Sequence, residues 1–499
     1  MLPKPDGLYD REVEWGDLSR FVSATGPPLR LSIVYGRRRY GKSFLLRRLV
    51  EVTGGVYHLA LQEERRSALE RFADSLRRHQ AHAPLRLDDW HTALEYAAAL
   101  LGEARNGPKV LVLDEYPYLR RGSPELDSAL QAVMDEAAAD PDPRRDSPVT
   151  IVVCGSAMSV MTGILSGTSP LRGRATLDMP LASFDYRSAR GFWGIEDPAA
   201  AFAVDSVVGG AAGYKDLACF AGIPRRSGDL AAWLAATVLN PSHALFREDE
   251  YLLREDPRVT VEAPYYSLLQ AIAAGRASQG RIAEAVGRLP GDIIYHLDVM
   301  LSAGFIERTD DLVTARRPTY RVADPIVRFH HLISRRNRAL LEDRRADDVW
   351  AASGATYRSK VLGPHFELVC RRWVDHYAAE ETLGGEVGPA GRVQVHDRDR
   401  ARSFEVDVAA AARDAGGGSL RGTVLQVLGE AKTSRLGVGD LQGLDRAAGL
   451  LAERKQVSLP ATSKRLLFSL EGFAPELVAA AAARPDVELV DLDRLYDGD

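Results

Sequence analysis

Residues 36–43 read Gly36-Arg37-Arg38-Arg39-Tyr40-Gly41-Lys42-Ser43, a glycine-bounded loop closed by Lys and Ser with the spacing of a phosphate cradle. The two glycines let the backbone curl until its N–H groups converge on an anion, and a helix opening near Lys42 adds its positive dipole end. The Lys42 ammonium is a compact charge that reaches terminal phosphates, and the Ser43 hydroxyl offers an oxygen to Mg²⁺. ATP with Mg²⁺ is therefore the expected ligand of all eight residues; the bland alternative is a glycine turn that binds nothing. Of 64 basic residues only eight are Lys, so Lys42 and Lys432 stand where a point charge serves better than a planar guanidinium. Biased composition with chance survivors would leave the same count.

A second set of residues completes this chemistry. Val110-Leu111-Val112-Leu113 runs into Asp114-Glu115, an apolar strand of the buried parallel type ending in two acids. Asp114 is expected to help hold Mg²⁺ and Glu115 to orient and polarise the attacking water. Ser156, after the run Val149–Cys154, either touches the γ-phosphate or caps a turn. Arg172 or Arg174 is expected to neutralise charge in the transition state, in cis or in trans, with Arg174 preferred.

Near the C-terminus lies a different constellation. Glu405 and Asp407 share one face of the strand-like run 403–409 by the two-residue period, and Glu430 and Lys432 share a face of 423–432. If those strands are neighbours, Asp407, Glu430 and Lys432 meet. Asp407 and Glu430 then chelate a divalent metal, and Lys432 positions or activates a water aimed at a phosphodiester. Gln442, on the following helix, is a further candidate.

The elements that must position these groups follow from patterning. Short apolar strands (31–35, 55–61, 109–113, 149–154, 176–181) alternate with helices such as 67–78 and 90–103, which predicts a parallel sheet covered by helices on both faces. Residues 140–148 read as a surface loop, as does the segment around Gly416-Gly417-Gly418. From 198 to 255 the chain is Ala/Leu-rich and helical. Residues 260–325 read as three helices and two short strands, in the order of a winged helix. Its candidate recognition helix, 292–302, has no Lys or Arg and carries Asp292 and Asp298. It is poorly equipped for DNA, whereas the wing offers Arg316, Arg317 and Arg321. A structural or protein-contact role is the favoured one. Between Arg328 and Arg372 ten basic residues face five acidic ones, an excess that either follows a nucleic-acid backbone or is an ordinary solvated helix surface.

At 499 residues with a net charge of −5, the chain is long enough for several domains and is not coated in positive charge. Three scattered cysteines, no apolar leader and no long uncharged apolar run lead to the expectation of a cytoplasmic protein without structural zinc, disulfides or a membrane span.

Asp10-Arg11-Glu12, the 35–43 segment, Leu113-Asp114-Glu115, Ser169-Pro170-Leu171-Arg172-Gly173-Arg174 and Gly209-Gly210 resemble the archaeal-type AAA+ ATPases over roughly residues 8–335. Ala211-Ala212-Gly213-Tyr214 departs from that family, which usually carries a proline before the tyrosine. Residues 320–499 resemble the PD-(D/E)xK restriction-endonuclease-like fold, in which Glu367 would match an acid of the first helix. The resemblances imply an α/β fold: a P-loop core (1–195), a helical lid (196–256), a winged helix (257–327), a basic helical connector (328–360) and a nuclease-like module (361–499). They imply an ATPase whose nucleotide state controls DNA binding or cleavage through the connector and C-terminal module. The alternatives are a nucleotide-dependent switch with an inactive C-terminal module, or an ATP-dependent assembly protein. A homo-oligomer is left open.

Overall fold

The computed structural model describes the whole chain except residues 81–85, 103–106, 140–147, 315–317, 398–401, 414–422 and 455–456. The two expected glycine-rich or Pro/Asp-rich loops and the wing residues Arg316 and Arg317 therefore lie wholly or largely outside the described residues. Two compact units emerge. The first comprises residues 1–184, 211–214 and 251–260; the second comprises 185–210, 215–250 and 261–499.

In the first unit the strands are β1 (Leu29–Tyr35), β2 (Val56–Leu59), β3 (Lys109–Asp114), β4 (Val149–Gly155) and β5 (Ala175–Pro180). They form a parallel sheet in the order β2-β3-β4-β1-β5. Every residue of β1, β3 and β4 is buried, as central parallel strands require. Their side chains divide by the two-residue period. Leu31, Ile33, Leu111, Leu113, Ile151 and Val153 pack with Phe72, Trp90, Leu94 and Tyr116 on one face. Val34, Val110, Val112, Val152 and Cys154 pack with Trp15, Leu18, Leu45 and Leu49 on the other. Helices α1 (Glu12–Ser23) and α2 (Lys42–Thr53) cover this second face, while α3 (Arg65–His79), α4 (Trp90–Gly102), α5 (Tyr116–Gly122) and α6 (Leu126–Ala139) cover the first. Both faces being covered explains why the strands read as continuous apolar runs.

In the second unit, helices Ala263–Ala273, Gln279–Ala285 and Ile294–Ser302 precede an antiparallel hairpin of β6 (Ile306–Thr309) and β7 (Thr319–Val322). Helical segments then run from Pro325 to His376. A mixed sheet follows, of β8 (Gly391–Asp397), β9 (Arg402–Ala411), β10 (Thr423–Lys432), β11 (Val457–Ser458), β12 (Lys464–Ser469) and β13 (Val487–Val490). The order is β13-β12-β10-β9-β8, with β11 pairing β10. Strands β8, β9 and β10 are antiparallel; β10, β12 and β13 are parallel. The helix Val438–Ala452 covers one face through Leu441, Leu444, Ala448 and Leu451. Helix Gly363–His376 is tied to Pro198–Val208 by a buried contact of 2.7 Å from His365 Nε2 to Asp205 Oδ2.

No helix among the described residues is long and apolar enough to cross a membrane. Cys154 and Cys370 are buried, Cys219 is exposed, and all three are free thiols.

Candidate functional site

The loop 36–43 leaves β1 and enters α2, as its sequence requires. Gly41, at φ 90°, caps the helix in the left-handed region that glycine favours. Arg39 also has positive φ, at 70°, so the loop holds a conformation that costs free energy at a non-glycine residue. Gly36 is needed for a different reason: a Cβ there would overlap the Leu181 carbonyl oxygen.

Lys42 is buried, and its ammonium donates to the carbonyls of Gly36 (2.7 Å) and Arg37 (2.9 Å). It is thereby held inside the curl of the loop. The Ser43 hydroxyl donates to Asp114 Oδ2 at 2.6 Å, across from β3. Two hard oxygens side by side suit Mg²⁺, which keeps most of its water and takes few protein ligands. No group of three or more His, Cys, Asp or Glu among the described residues, here or in the second unit, is arranged to hold a metal.

Asp114 is buried, with the Glu115 N–H on Oδ1 (2.9 Å) and the Tyr57 hydroxyl on Oδ2. Burial, then Asp114, pushes the Tyr57 phenol far up, so it stays a donor. Glu115 lies in the left-handed region at φ 55°. Burial and then the Asp114 charge raise its carboxyl above the usual range, while Lys42 pulls it back down. A raised carboxyl poised beside a phosphate cradle is what general-base work calls for.

The remaining loop residues hold the frame. Arg38 reaches Glu255 at 3.3 Å. The Arg39 carbonyl accepts from Gly213 N at 2.9 Å, and its guanidinium lies 5.8 Å from the Tyr214 ring. The Tyr40 carbonyl accepts from Arg11 at 3.2 Å, and Arg11 also donates to the Ala182 carbonyl at 2.8 Å. Tyr35 pairs with Gly155, which sets Ser156 level with the start of the loop.

Arg174 is placed elsewhere. It immediately precedes β5, whose first residue Ala175 pairs with Leu31, whereas Pro180 pairs with Tyr35. At about 3.3 Å per residue of strand, Arg174 stands some five residues back from the end of β1, at the opposite end of the strands from the loop. It is ion-paired to Asp135 of α6. Arg172 donates to the Gly167 carbonyl at 3.3 Å. The expectation that one of them serves this same loop in cis meets that distance.

In the second unit, register puts Gly429 opposite Val408, so Asp407 comes opposite Glu430 one step on. The Ala431 N–H donates to Asp407 Oδ2 at 3.1 Å. Burial first, then Glu367 and Glu430, pushes the Asp407 carboxyl up to about 8. Burial likewise raises Glu367 and Glu430. Lys432 Nζ lies 3.1 Å from Glu430 Oε1 and 2.7 Å from Asp440 Oδ1. Burial opposes its charge, but Asp440 and Glu430 outweigh that and raise it. Oxygen donors crowded until they repel one another are a donor set that a divalent cation would relieve.

Several participants carried no sequence signal strong enough to single them out. Asp440, not the exposed Gln442, is the residue of the following helix that reaches Lys432. Arg371 donates to the Asp407 carbonyl at 2.6 Å. Tyr57 sits in the i, i+2 alternation of β2 and reads there as a core residue. Part of the connector's charge is already paired. Arg328 is buried, while Arg335 pairs with Asp249, Arg338 with Glu250 and Glu342, and Arg345 with Asp348. Arg336, Arg358 and Lys360 remain exposed, with no ion-pair partner among the described residues.

Residues 8–195 match a family described as an ATPase domain predominantly from Archaea. A curated relative, the uncharacterized protein MJECL04 of Methanocaldococcus jannaschii, is 24% identical over 334 residues, covering 65% of this chain and 68% of its own. Among solved structures, the Walker-type ATPase PABY2304 of Pyrococcus abyssi is 22% identical with a TM-score of 0.49; 66% of this chain and 97% of that one are covered. The ORC2 protein of Aeropyrum pernix in ADPNP–ADP complexes is 15% identical with a TM-score of 0.47, covering 71% and 97%. The family match supports reading residues 8–195 as a nucleotide-binding ATPase domain.

Proposed function

We propose that ATP binding and hydrolysis in this domain control a C-terminal nuclease-like module that binds DNA and, with Mg²⁺, cuts it. In the ATPase domain, Gly36 to Ser43 wrap the phosphates and Lys42 leaves its two loop carbonyls for them. Ser43 and Asp114 would hold Mg²⁺, with the Tyr57 hydroxyl fixing the Asp114 carboxylate. Bound Mg²⁺ would offset charge on the phosphate oxygens. Glu115 takes the proton of the attacking water, and Ser156 lies level with the loop to meet the γ-phosphate or that water. Arg174, at the far end of the strands, acts on the nucleotide of a neighbouring copy, which makes the working form a homo-oligomer.

Residues 257–327 form a winged helix and 361–499 a PD-(D/E)xK-like module. One observation carries this reading: Asp407 and Glu430 stand opposite each other on adjacent strands, with Lys432 bonded to Glu430. Asp407 and Glu430 would hold the metal, with Glu367 supporting them, and Lys432 would position the water. A second reading is a nucleotide-dependent switch without cleavage, favoured by the 2.7 Å bond that occupies Lys432 on Asp440.

Incubation with supercoiled plasmid, Mg²⁺ and ATP separates the two. Nicking that is lost in Lys432→Ala but retained in Glu115→Gln supports the nuclease. No cutting with Mg²⁺ or Mn²⁺, with DNA binding retained, supports the switch.

A further inference from the structure

The edge of the second unit's sheet is not bare. Strand β8 ends the order, and an unpaired strand edge normally needs cover. The segment following β6 supplies it. Leu312 N donates to the Arg392 carbonyl at 3.1 Å, and Gln394 N donates to Asp311 Oδ2 at 2.6 Å. Asp311 Oδ1 accepts from Val313 N (2.9 Å) and Thr314 N (2.7 Å). The approach is close enough that a Cβ on Gly391 would lie 2.9 Å from Leu312 Cγ. Arg392 binds Glu405 at 2.6 Å and also reaches the Thr319 hydroxyl.

This docking encloses a cavity of about 510 Å³, with Ser278, Arg281, Thr314, Arg392, Gln394 and Glu405 in its walls. That volume is in the range of small-molecule sites. Its acceptors are already used: Asp311 by three backbone N–H groups, Glu405 by Arg392. Arg392 is used too, on Glu405 and the Thr319 hydroxyl. Three other donors are not. Arg281 has no ion-pair partner among the described residues. Among the described residues the Ser278 hydroxyl and the Gln394 amide also make no hydrogen bond. A cavity whose unmet capacity is donors fits an anionic, acceptor-rich ligand.

Its position narrows the ligand further. Glu405 also lines a second recess of about 240 Å³ that contains Glu430, Lys432 and Asp440. Glu405 and Asp407 are two residues apart on β9, about 7 Å along the strand. We infer that the cavity between the 311–314 segment and β8 receives one nucleotide unit of a single DNA strand whose neighbouring phosphodiester lies at the Asp407–Glu430–Lys432 cluster. Arg281 meets the phosphate; Gln394 and Ser278 meet base or sugar. This rests on the C-terminal module acting on DNA, as proposed above.

The test is fluorescence anisotropy of a short fluorescein-labelled single-stranded oligodeoxynucleotide with the full-length protein, metal-free so that nothing is cut, over a range of salt. Arg281→Gln is expected to weaken binding about fivefold or more and to lower the salt slope by about one. Thr314→Trp, which fills the cavity without changing charge, is expected to weaken binding at an unchanged slope. Thermal melting verifies that both variants are folded. If wild type binds and both folded variants bind within twofold of it, the subsite is wrong while the reading of the module stands. If wild type binds no DNA at all, that reading falls and the subsite with it. Tighter binding of the RNA of the same sequence overturns the assignment to DNA.

Discussion

Asp407→Asn should make the protein more stable at alkaline pH, although it removes a residue from a candidate active site. The wild-type carboxyl is pushed from an ordinary 3.8 to about 8, chiefly by burial and then by Glu367 and Glu430. With the folded-state value raised, the folded protein holds a proton that the unfolded chain has released. Stability is therefore greatest below pH 4 for this group and drains away as pH rises toward 8. Each pH unit is worth about 1.4 kcal/mol, so that window carries on the order of 5 kcal/mol. Solvent reaches this half-buried residue, which brings the expected loss nearer 2–3 kcal/mol. Asn cannot ionise and keeps an oxygen for the Ala431 N–H, so at pH 8 it should recover most of that loss. Urea unfolding at pH 5 and pH 8, with and without Mg²⁺, measures it. Wild type should weaken more between the two pH values, and regain more stability with Mg²⁺, than Asp407→Asn, which keeps Glu367, Glu430 and the Ser43–Asp114 pair. A variant less stable than wild type at pH 8 without metal would refute the reasoning, as would a wild type that gains no more stability from Mg²⁺ than the variant does.

Three further outcomes are expected. Gly36→Ala drives a methyl into the Leu181 carbonyl oxygen, and overpacking of this kind costs about 1–3 kcal/mol; calorimetry should show a lowered Tm and weakened ATP binding. Glu115→Gln should retain ATP binding and lose about 10²–10⁴-fold in turnover; in wild type, hydrolysis should fall on acidification at a pH above the ordinary glutamate range, because burial and Asp114 raise Glu115. His58 is pulled down to about 4 by burial and then by Arg71 and Arg78, so the fold keeps it neutral while the unfolded chain protonates near 6.5. Stability should fall by about 3 kcal/mol as pH drops from 6.5 to 4, and urea midpoints of His58→Gln should be flatter over that range.

What was legible in the sequence was local. A loop between a strand and a helix declares itself within eight residues, and Leu111–Glu115 does so within five, because backbone geometry alone ties those side chains together. The i, i+2 rule likewise placed Glu405 with Asp407 and Glu430 with Lys432. What remained hidden depends on contacts distant in sequence. Tyr57 looks like any half-buried strand residue until β2 pairs with β3 and brings its hydroxyl to Asp114. Asp311 reads as a turn former, and only the docking of its segment on β8 reveals it as a clamp. The positive excess from Arg328 to Arg372 counts charges without their partners; Asp249 and Glu250, some 90 residues upstream, neutralise two of them. Arg174 follows the same rule in reverse. Its spacing after β4 left action in cis or in trans open, and the parallel register of β5 sets it toward the other end of the strands from the loop.

The proposed function requires coupling between the nucleotide site and the C-terminal module. The decisive measurement is DNA affinity of the full-length chain with and without saturating ATP, in Glu115→Gln, which holds ATP uncleaved, and in Lys42→Ala, which cannot grip it. A clear ATP-dependent change in Glu115→Gln, absent in Lys42→Ala, is the expected result. Equal DNA affinity in both variants, whether or not ATP is present, would contradict it.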